Sequence, residues 1–235
     1  MKKKVIPIEV DLHSHLIPNI DDGSQSMEQS LEMIRALSSH GVKKLITTPH
    51  IHPRYPNTPE IIMNGLKKLQ GELQKKEIEI ELEAAAEYYV DESFSKKVQD
   101  GGQILSFGNK YVLVEAPFQN KPIDFESVMF DLKSKGYHPV LAHPERYQFL
   151  EGSLDWLQQL RASGVLFQVT LGSISGYYGT IPAKLSSQLL KSGMVDFLGS
   201  DLHRLTHIEY FKKGLQSKEV QKVIESGSIK NAELL

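Results

Sequence analysis

Val10-Asp11-Leu12-His13-Ser14-His15-Leu16 decides how this chain is read. Taken as a β-strand it alternates, with Val10, Leu12, Ser14 and Leu16 on one side and Asp11, His13 and His15 on the other. Two imidazoles two residues apart on a strand converge on one point, as two ligands of a metal must. A polar edge strand with exposed histidines would carry the same letters. What separates the two readings is recurrence downstream. Asp21-Asp22, Thr48-Pro49-His50, Ala86-Glu87-Tyr88, Val114-Glu115-Ala116, Ala142-His143-Pro144 and Ser200-Asp201-Leu202-His203 repeat the pattern, most of them at the ends of apolar segments. The first strand is therefore read as one wall of a metal cluster.

Working outward, seven short segments read as buried strands, roughly 8–14, 43–48, 78–86, 111–116, 138–142, 165–170 and 195–199. Helical periodicity lies between them. Ser24 is expected to cap a helix carrying Met27, Leu31, Ile34 and Leu37. Thr58-Pro59-Glu60 is a second helix start, with Ile62, Leu66, Leu69 and Leu73 as its buried stripe. A short helix around Phe94 and Val98 should end at Gly101-Gly102. Further helices fit Val128 to Leu132, Leu154 to Leu160 and Leu185 to Leu190, with a C-terminal region broken at Gly214 and Gly227. Gly41, Gly136, Gly164 and Gly193 each stand between a helical pattern and a strand, where a positive φ ends the helix. Four such joints in an alternating chain argue for a parallel sheet with right-handed crossovers. A closed α/β barrel is preferred over an open doubly wound sheet, because no glycine-rich phosphate loop follows the first strand. No linker divides the sequence, so residues 1–235 read as one domain.

Composition narrows the function. The chain has 235 residues, 40% apolar and 24% charged, with a formal net charge of −2. That balance gives no basic face for nucleic acid. No segment reaches the ~18 apolar residues of a membrane span, and Lys2-Lys3-Lys4 reads as a solvated start rather than a leader. A cytoplasmic location follows as the expectation. The sequence contains no cysteine, which removes disulfides, thiolate ligands and a thiol nucleophile, leaving a metal-activated water as the candidate for hydrolysis.

In α/β barrels functional groups sit at the C-terminal strand ends. His13 and His15, His50, Glu87, Glu115, His143, and Asp201 with His203 all fall there. Glu115 lies inside Tyr111–Pro117, where an unpaired carboxylate would be costly to bury. Glu87, by contrast, could merely end the solvated acidic alternation of 77–83. Strand six offers only Gln168 and Thr170, as supporting or core polar groups. His40, His52, His138 and His207 read as structural or surface histidines.

The ordered set Asp11-Leu12-His13-Ser14-His15, Asp21-Asp22-Gly23, Thr48-Pro49-His50, Ala86-Glu87-Tyr88-Tyr89, Glu115, Ala142-His143-Pro144-Glu145-Arg146-Tyr147 and Ser200-Asp201-Leu202-His203 resembles the PHP (polymerase and histidinol phosphatase) superfamily. Within it, the chain is most similar to the bacterial metal-dependent protein-tyrosine phosphatases of capsule and exopolysaccharide synthesis. The resemblance implies a distorted TIM-like barrel of seven β/α units and two or three divalent metal ions, with manganese first and iron or zinc as alternatives. It assigns His13, His15, Glu87 and Asp201 to one ion and Glu87, Glu115 and His143 to a second. Asp22, His50 and His203 would hold a third. Arg146 matches the position that engages substrate phosphate, and Arg54 and Arg204 are further substrate-binding candidates. The implied reaction is phosphotyrosine hydrolysis on a protein substrate, the expected partner being a polysaccharide-synthesis tyrosine kinase. Neither a covalent phosphoenzyme nor an organic cofactor is required.

The alternatives are a histidinol-phosphate phosphatase, a polymerase-type nuclease and a non-catalytic binding module. Tyr55, Tyr88, Tyr89 and Tyr147 could flank a phenyl ring. Pro53, Pro56, Pro117 and Pro122 favour a fixed, open rim that leaves residues beside the phosphotyrosine largely unread. One departure from the relatives is Asn231-Ala232 where Asn-Pro is usual, which leaves the C-terminal packing open.

Overall fold

The computed structural model describes residues 5–235, and the Lys2-Lys3-Lys4 run lies outside them. In chain order the elements begin β1 (Val10–Asp11), α1 (Met27–Ser39), β2 (Lys44–Thr47), β3 (His50–Ile51), α2 (Pro59–Lys75), β4 (Glu81–Ala84), β5 (Glu87–Tyr89) and α3 (Glu92–Gln99). They continue β6 (Tyr111–Glu115), α4 (Phe125–Ser134), β7 (His138–Ala142), α5 (Asp155–Ala162), β8 (Leu166–Thr170) and α6 (Leu171–Ile174). The last are α7 (Thr180–Lys191), β9 (Phe197–Gly199), α8 (His207–Leu215) and α9 (Lys218–Glu225). Every strand pair is parallel.

Two of the seven expected strands are broken. Strand pairing gives one sheet β1-β2-β4 and another β3-β5-β6-β7-β8-β9. The break follows from Pro49, which has no N–H to donate to a ladder. Hydrogen bonds from Ala85 N–H to Thr47 O (2.9 Å) and Glu87 N–H to Pro49 O (3.1 Å) keep the pieces side by side. β2 with β3 and β4 with β5 thus make two broken staves, and the ring has seven.

Its ends meet. A parallel bridge joins Ser14 to Leu202, supported by Asp201 N–H to His13 O at 2.8 Å and His15 N–H to Leu202 O at 3.0 Å. Below it, Asp11 accepts from Ser200 N–H (2.7 Å) and Ser200 Oγ (2.6 Å). Asn231, in a short 3-10 turn (Asn231–Leu234), fills the rest of the seam. Its amide donates to Val10 O (2.9 Å) and Leu198 O (2.7 Å) and accepts from Leu198 N–H (2.9 Å). The side chain thus substitutes for a neighbouring strand, and it settles the C-terminal packing.

The expected first strand, 8–14, is regular only at Val10–Asp11. Beyond Asp11 the backbone runs between two partners, since Ser14 O accepts from Thr48 N–H while Ser14 bridges Leu202. The strict alternation therefore fails: Val10 and Leu12 join one apolar cluster and Leu16 another. The smaller cluster takes Val10, Ile46, Leu113, Val140 and Phe197 from five of the seven staves and is the barrel interior. The larger takes alternate residues such as Leu45, Val112, Leu141 and Leu198 and seals the sheet against the helices.

Local signals behave as their chemistry requires, with two corrections. Thr58 caps α2 through Ile61 N–H, and the four joint glycines have φ between +67° and +96°. The cap of α1 is Ser26, accepting from Gln29 N–H, rather than Ser24. Ser24 is buried and donates to Ser26 O. Gly214 does not interrupt a helix but sits inside α8, where a Cβ would lie 2.2 Å from Leu171 O. It permits close packing of α8 on α6.

Candidate metal centre

The nine ligand-type residues named from the sequence gather at the C-terminal mouth of the barrel. Four donor atoms stand out: His13 Nε2, His15 Nε2, Glu87 Oε2 and Asp201 Oδ1. His13 Nε2 lies 3.4 Å from His15 Nε2 and 3.3 Å from each of the two carboxylate oxygens. His15 Nε2 lies 3.4 Å from Glu87 and 3.6 Å from Asp201. A tetrahedron of ligands ~2.1 Å from a first-row ion has edges of ~3.4 Å. Five of the six edges are therefore present.

The same carboxylate reaches a second group. Glu87 Oε1 is 3.0 Å from His143 Nε2, which is 3.5 Å from Glu115 Oε1. His50 Nδ1 is 3.1 Å from Glu87 Oε2, and its Nε2 is 3.6 Å from Asp22 Oδ1. His203 Nε2 lies 3.6 Å from the same Asp22 oxygen. Each residue thus has neighbours of metal-ligand type at metal-ligand spacing. Glu87 is central, touching His13, His15, His50 and His143.

The donor set fits cations by a second observation. Glu87 Oε2 and His50 Nδ1 are buried without a hydrogen-bond partner, a costly arrangement unless an ion satisfies them. Elsewhere the imidazoles are fixed from behind, as ligating histidines usually are. Gln168 Oε1 holds His13 Nδ1 at 2.7 Å, Asp21 Oδ2 holds His15 Nδ1 at 2.8 Å, and Asp201 O holds His203 Nδ1 at 3.0 Å. Asp21 also accepts from Gly23 and His50 N–H. Gln168 is thus a supporting group of the site rather than a plain core polar residue. Asp21 was visible in its pair with Asp22, but nothing in the pair says that one orients and the other faces the cavity.

Backbone strain contributes. His143 (φ 32°) and Asp201 (φ 51°) follow β7 and β9 in the left-handed region, which costs a non-glycine residue of order 1 kcal/mol. Both turns aim their side chains into the mouth.

The electrostatics follow from burial among mixed charges. Burial opposes charge on His13 and His15, yet the carboxylates of Glu87 with Asp201, and of Asp21 with Glu87, outweigh it and raise both pKa values. Burial pushes His50 and His143 down to about 4, so both are neutral, the ligating form. Glu87 resists burial because His13 and His50 hold it well below the usual carboxylate range. Burial and the Glu87 charge drive Glu115 the other way.

Arg146 enters from a 3-10 turn (Pro144–Arg146) directly after His143. Its Nη1 donates to Asp201 Oδ2 at 2.5 Å. Its guanidinium is sandwiched between rings, 4.0 Å from the Tyr178 centroid and 4.8 Å from that of Phe118. Tyr178 Oη also donates to Asp201 Oδ2 at 3.3 Å. Neither ring was foreseen, because each sits in an irregular loop with no periodicity to place it. The buried Glu145 beside Arg146 accepts from Thr170 N–H (3.0 Å) and ties the turn to β8.

A cavity of about 500 Å³ opens over the cluster. Arg54, Tyr55 and Tyr89 line it, as does His52, expected to be a structural or surface residue. Tyr55 stacks on His50 at 5.7 Å, and His52 meets Tyr89 edge-on at 4.2 Å. Arg204 is exposed and does not line the cavity. Tyr88 and Tyr147 are buried instead. Tyr88 Oη accepts from Leu105 N–H, while Tyr147 Oη accepts from Ala116 N–H and donates to Ala142 O. These two phenols are spent on backbone groups and cannot flank a substrate ring.

A parallel barrel with a histidine–carboxylate cluster at its mouth is the class that this geometry defines. The chain belongs to the capsular polysaccharide synthesis CpsB/CapC family, whose model it matches over residues 9–233. It is 32% identical to the tyrosine-protein phosphatase YwqE of Bacillus subtilis over 202 residues, 83% of this chain and 78% of that protein. It is 29% identical to the putative tyrosine-protein phosphatase CapC of Staphylococcus aureus over 207 residues, 88% and 81% of the two chains. Among solved structures, one reported for YwqE from Bacillus subtilis and CpsB from Streptococcus pneumoniae, described as unique metal-dependent tyrosine phosphatases, superposes with a TM-score of 0.83 at 29% identity. That match covers 93% of this chain and 92% of the other. A protein from Acinetobacter baumannii described as a probable 2-pyrone-4,6-dicarboxylic acid hydrolase shares the fold alone, at a TM-score of 0.52 and 16% identity. No helix among the described residues is long and apolar enough to cross a membrane.

Proposed function

We propose that this chain, as a single domain, is a metal-dependent protein-tyrosine phosphatase. The observation that carries the reading is the tetrahedral set of His13, His15, Glu87 and Asp201, with Arg146 bonded to the far oxygen of Asp201. In this reading His13, His15, Glu87 and Asp201 would hold one ion, Glu87 with Glu115 and His143 would hold a second, and Asp22, His50 and His203 would hold a third. Imidazole and carboxylate without thiolate suit manganese, iron or zinc, and manganese is the ion proposed from the resemblance. When bound, such ions supply Lewis acidity toward phosphoryl oxygen and lower the pKa of water.

The remaining work belongs to the chain. Arg146 presents a planar fork to the phosphate, held in plane by Phe118 and Tyr178 and in place by Asp201. Arg54 adds positive charge at the cavity wall, and Arg204 is a peripheral candidate. Tyr55, Tyr89 and His52 offer an aromatic wall to the phenyl ring of phosphotyrosine. Without cysteine the reaction proceeds by no thiol-phosphate. The substrate in the cell is the tyrosine-phosphorylated segment of a polysaccharide-synthesis kinase, reached from the cytoplasm.

The test compares kcat/KM of the manganese-loaded protein for phosphotyrosine peptides, a phosphoserine peptide and histidinol phosphate. Preference for phosphotyrosine is expected. A clear preference for histidinol phosphate would move the assignment to a small-molecule phosphatase.

A further inference from the structure

Beyond Arg146 lies a second cavity, about 1060 Å³, at the upper end of small-ligand pockets. It adjoins the space over the metal cluster, since Phe118, Gln119 and Arg146 line both. Its far wall is the first turn of α7, where Ile181 is 66% exposed beside Pro182 and the buried Leu185. One exposed aliphatic side chain is ordinary on a surface; this one forms the edge of a large cavity beside the reactive site, where apolar lining is available to a bound chain. Lys184 and Glu151 line the groove with opposite charges, so it has no pull toward one sign. No side chain caps α7; Pro182 has no N–H and Ala183 N–H donates to Gly179 O, so the Thr180 and Ile181 N–H groups are the ones open to acceptors from outside the helix. A peptide backbone supplies carbonyls.

We propose that this groove binds the segment of substrate polypeptide adjoining the phosphotyrosine and seats one of its apolar side chains on Ile181. The assignment rests on the phosphotyrosine reading above and deepens it. With the phosphate at the cluster, the chain leaves across Phe118 and Arg146, the wall shared by both cavities. Residues beside the phosphotyrosine are then read, in place of the unread rim expected from the prolines.

Three substrates separate the possibilities: a small aryl phosphate, and two phosphotyrosine peptides differing only in whether leucine or serine flanks the phosphotyrosine. The manganese-loaded parent should prefer the leucine peptide. Ile181→Asp puts an acid in the first turn of α7, a favourable helix position, so folding is kept. It should raise KM for the leucine peptide about tenfold, the size of one lost aliphatic contact, and erase the preference. Its kcat, and its aryl phosphate hydrolysis, should match the parent. Equal loss on aryl phosphate and peptide, or a parent indifferent to the flanking residue, overturns the groove while leaving the phosphatase reading intact. A parent that hydrolyses neither aryl phosphate nor phosphotyrosine peptide overturns both.

Discussion

Replacing Asn231 by alanine tests whether the barrel seam is held by one side chain. Asn231 is 2% exposed and spans β1 and β9 with three hydrogen bonds to Val10 O, Leu198 O and Leu198 N–H. β1 pairs otherwise with β2 and β9 with β8, so no strand stands by to replace it. Each bond contributes ~1 kcal/mol, and a buried group left without a partner costs that or more. The loss is therefore about 3 kcal/mol. For a chain of this size each kcal/mol moves Tm by about 2–4 °C, giving a fall of roughly 6–12 °C by calorimetry at fixed metal concentration. Asn231→Asp is the sharper variant. It keeps the acceptor for Leu198 N–H but turns a carboxylate toward two carbonyl oxygens, and should fall at least as far. Metal affinity should weaken in both, since the seam keeps His13 and His15 opposite Asp201. An alanine variant within about 2 °C of the parent would refute the reasoning.

Glu87→Gln should lower bound metal and turnover by orders of magnitude, because the central carboxylate charge is lost. Glu83→Gln, whose half-exposed side chain pairs only with Lys44, should change neither; elemental analysis and phosphotyrosine assays read both. Arg146→Ala should keep its metal but lose several kcal/mol of transition-state stabilisation, at ~1.5–3 kcal/mol per charge-assisted bond, with Arg146→Lys rescuing in part. Parent-like kcat/KM in the alanine variant would remove Arg146 from phosphate binding. Metal affinity should rise with pH. The neighbouring carboxylates raise the pKa values of His13 and His15 above the ordinary imidazole range, so protons compete with the metal there, whereas a ligating imidazole must be neutral. Titration calorimetry in buffers of different ionisation enthalpy should show proton release on metal binding, and buffer-independent heats would contradict it.

How far the sequence could be read depended on the range of the interaction. Strand ends were legible because apolar runs stop at ligand-type residues, and helix joints because glycine is needed at positive φ. The break at Pro49 was written in the sequence as well, but its effect on the neighbouring stave depends on the pairing of Thr47 with Ala85, 38 residues on. The misread tyrosines show the same limit. Tyr88 and Tyr89 are adjacent, and only the strand pairing decides which is buried against Leu105 N–H and which meets the cavity. Gln168 was legible only as a supporting or core polar group and Asp21 only within its pair, because a group that orients a ligand is recognised by the ring nitrogen that it holds.

The cluster also shows where local consistency was given up. Among the described residues the buried side-chain atoms without a partner include Glu87 Oε2, His50 Nδ1 and His143 Nδ1 in the mouth, beside Ser14, Thr48, Glu145 and Ser173. Two left-handed backbone turns and the unfavourable closeness of Glu87 and Glu115 lie in the same few ångströms. Each feature costs stability, and a divalent cation would offset the costs at the unpartnered Glu87 Oε2 and at the carboxylate of Glu115 repelled by Glu87. Packing alone would select against all of them at once. Their concentration at one end of the barrel, with the seam residues Asp11, Ser200 and Asn231 fully hydrogen-bonded just beneath, divides the molecule into a part that holds shape and a part that holds charge. It also gives the division a direction: cation binding should stabilise the mouth first, because the strain is stored there and not in the seam.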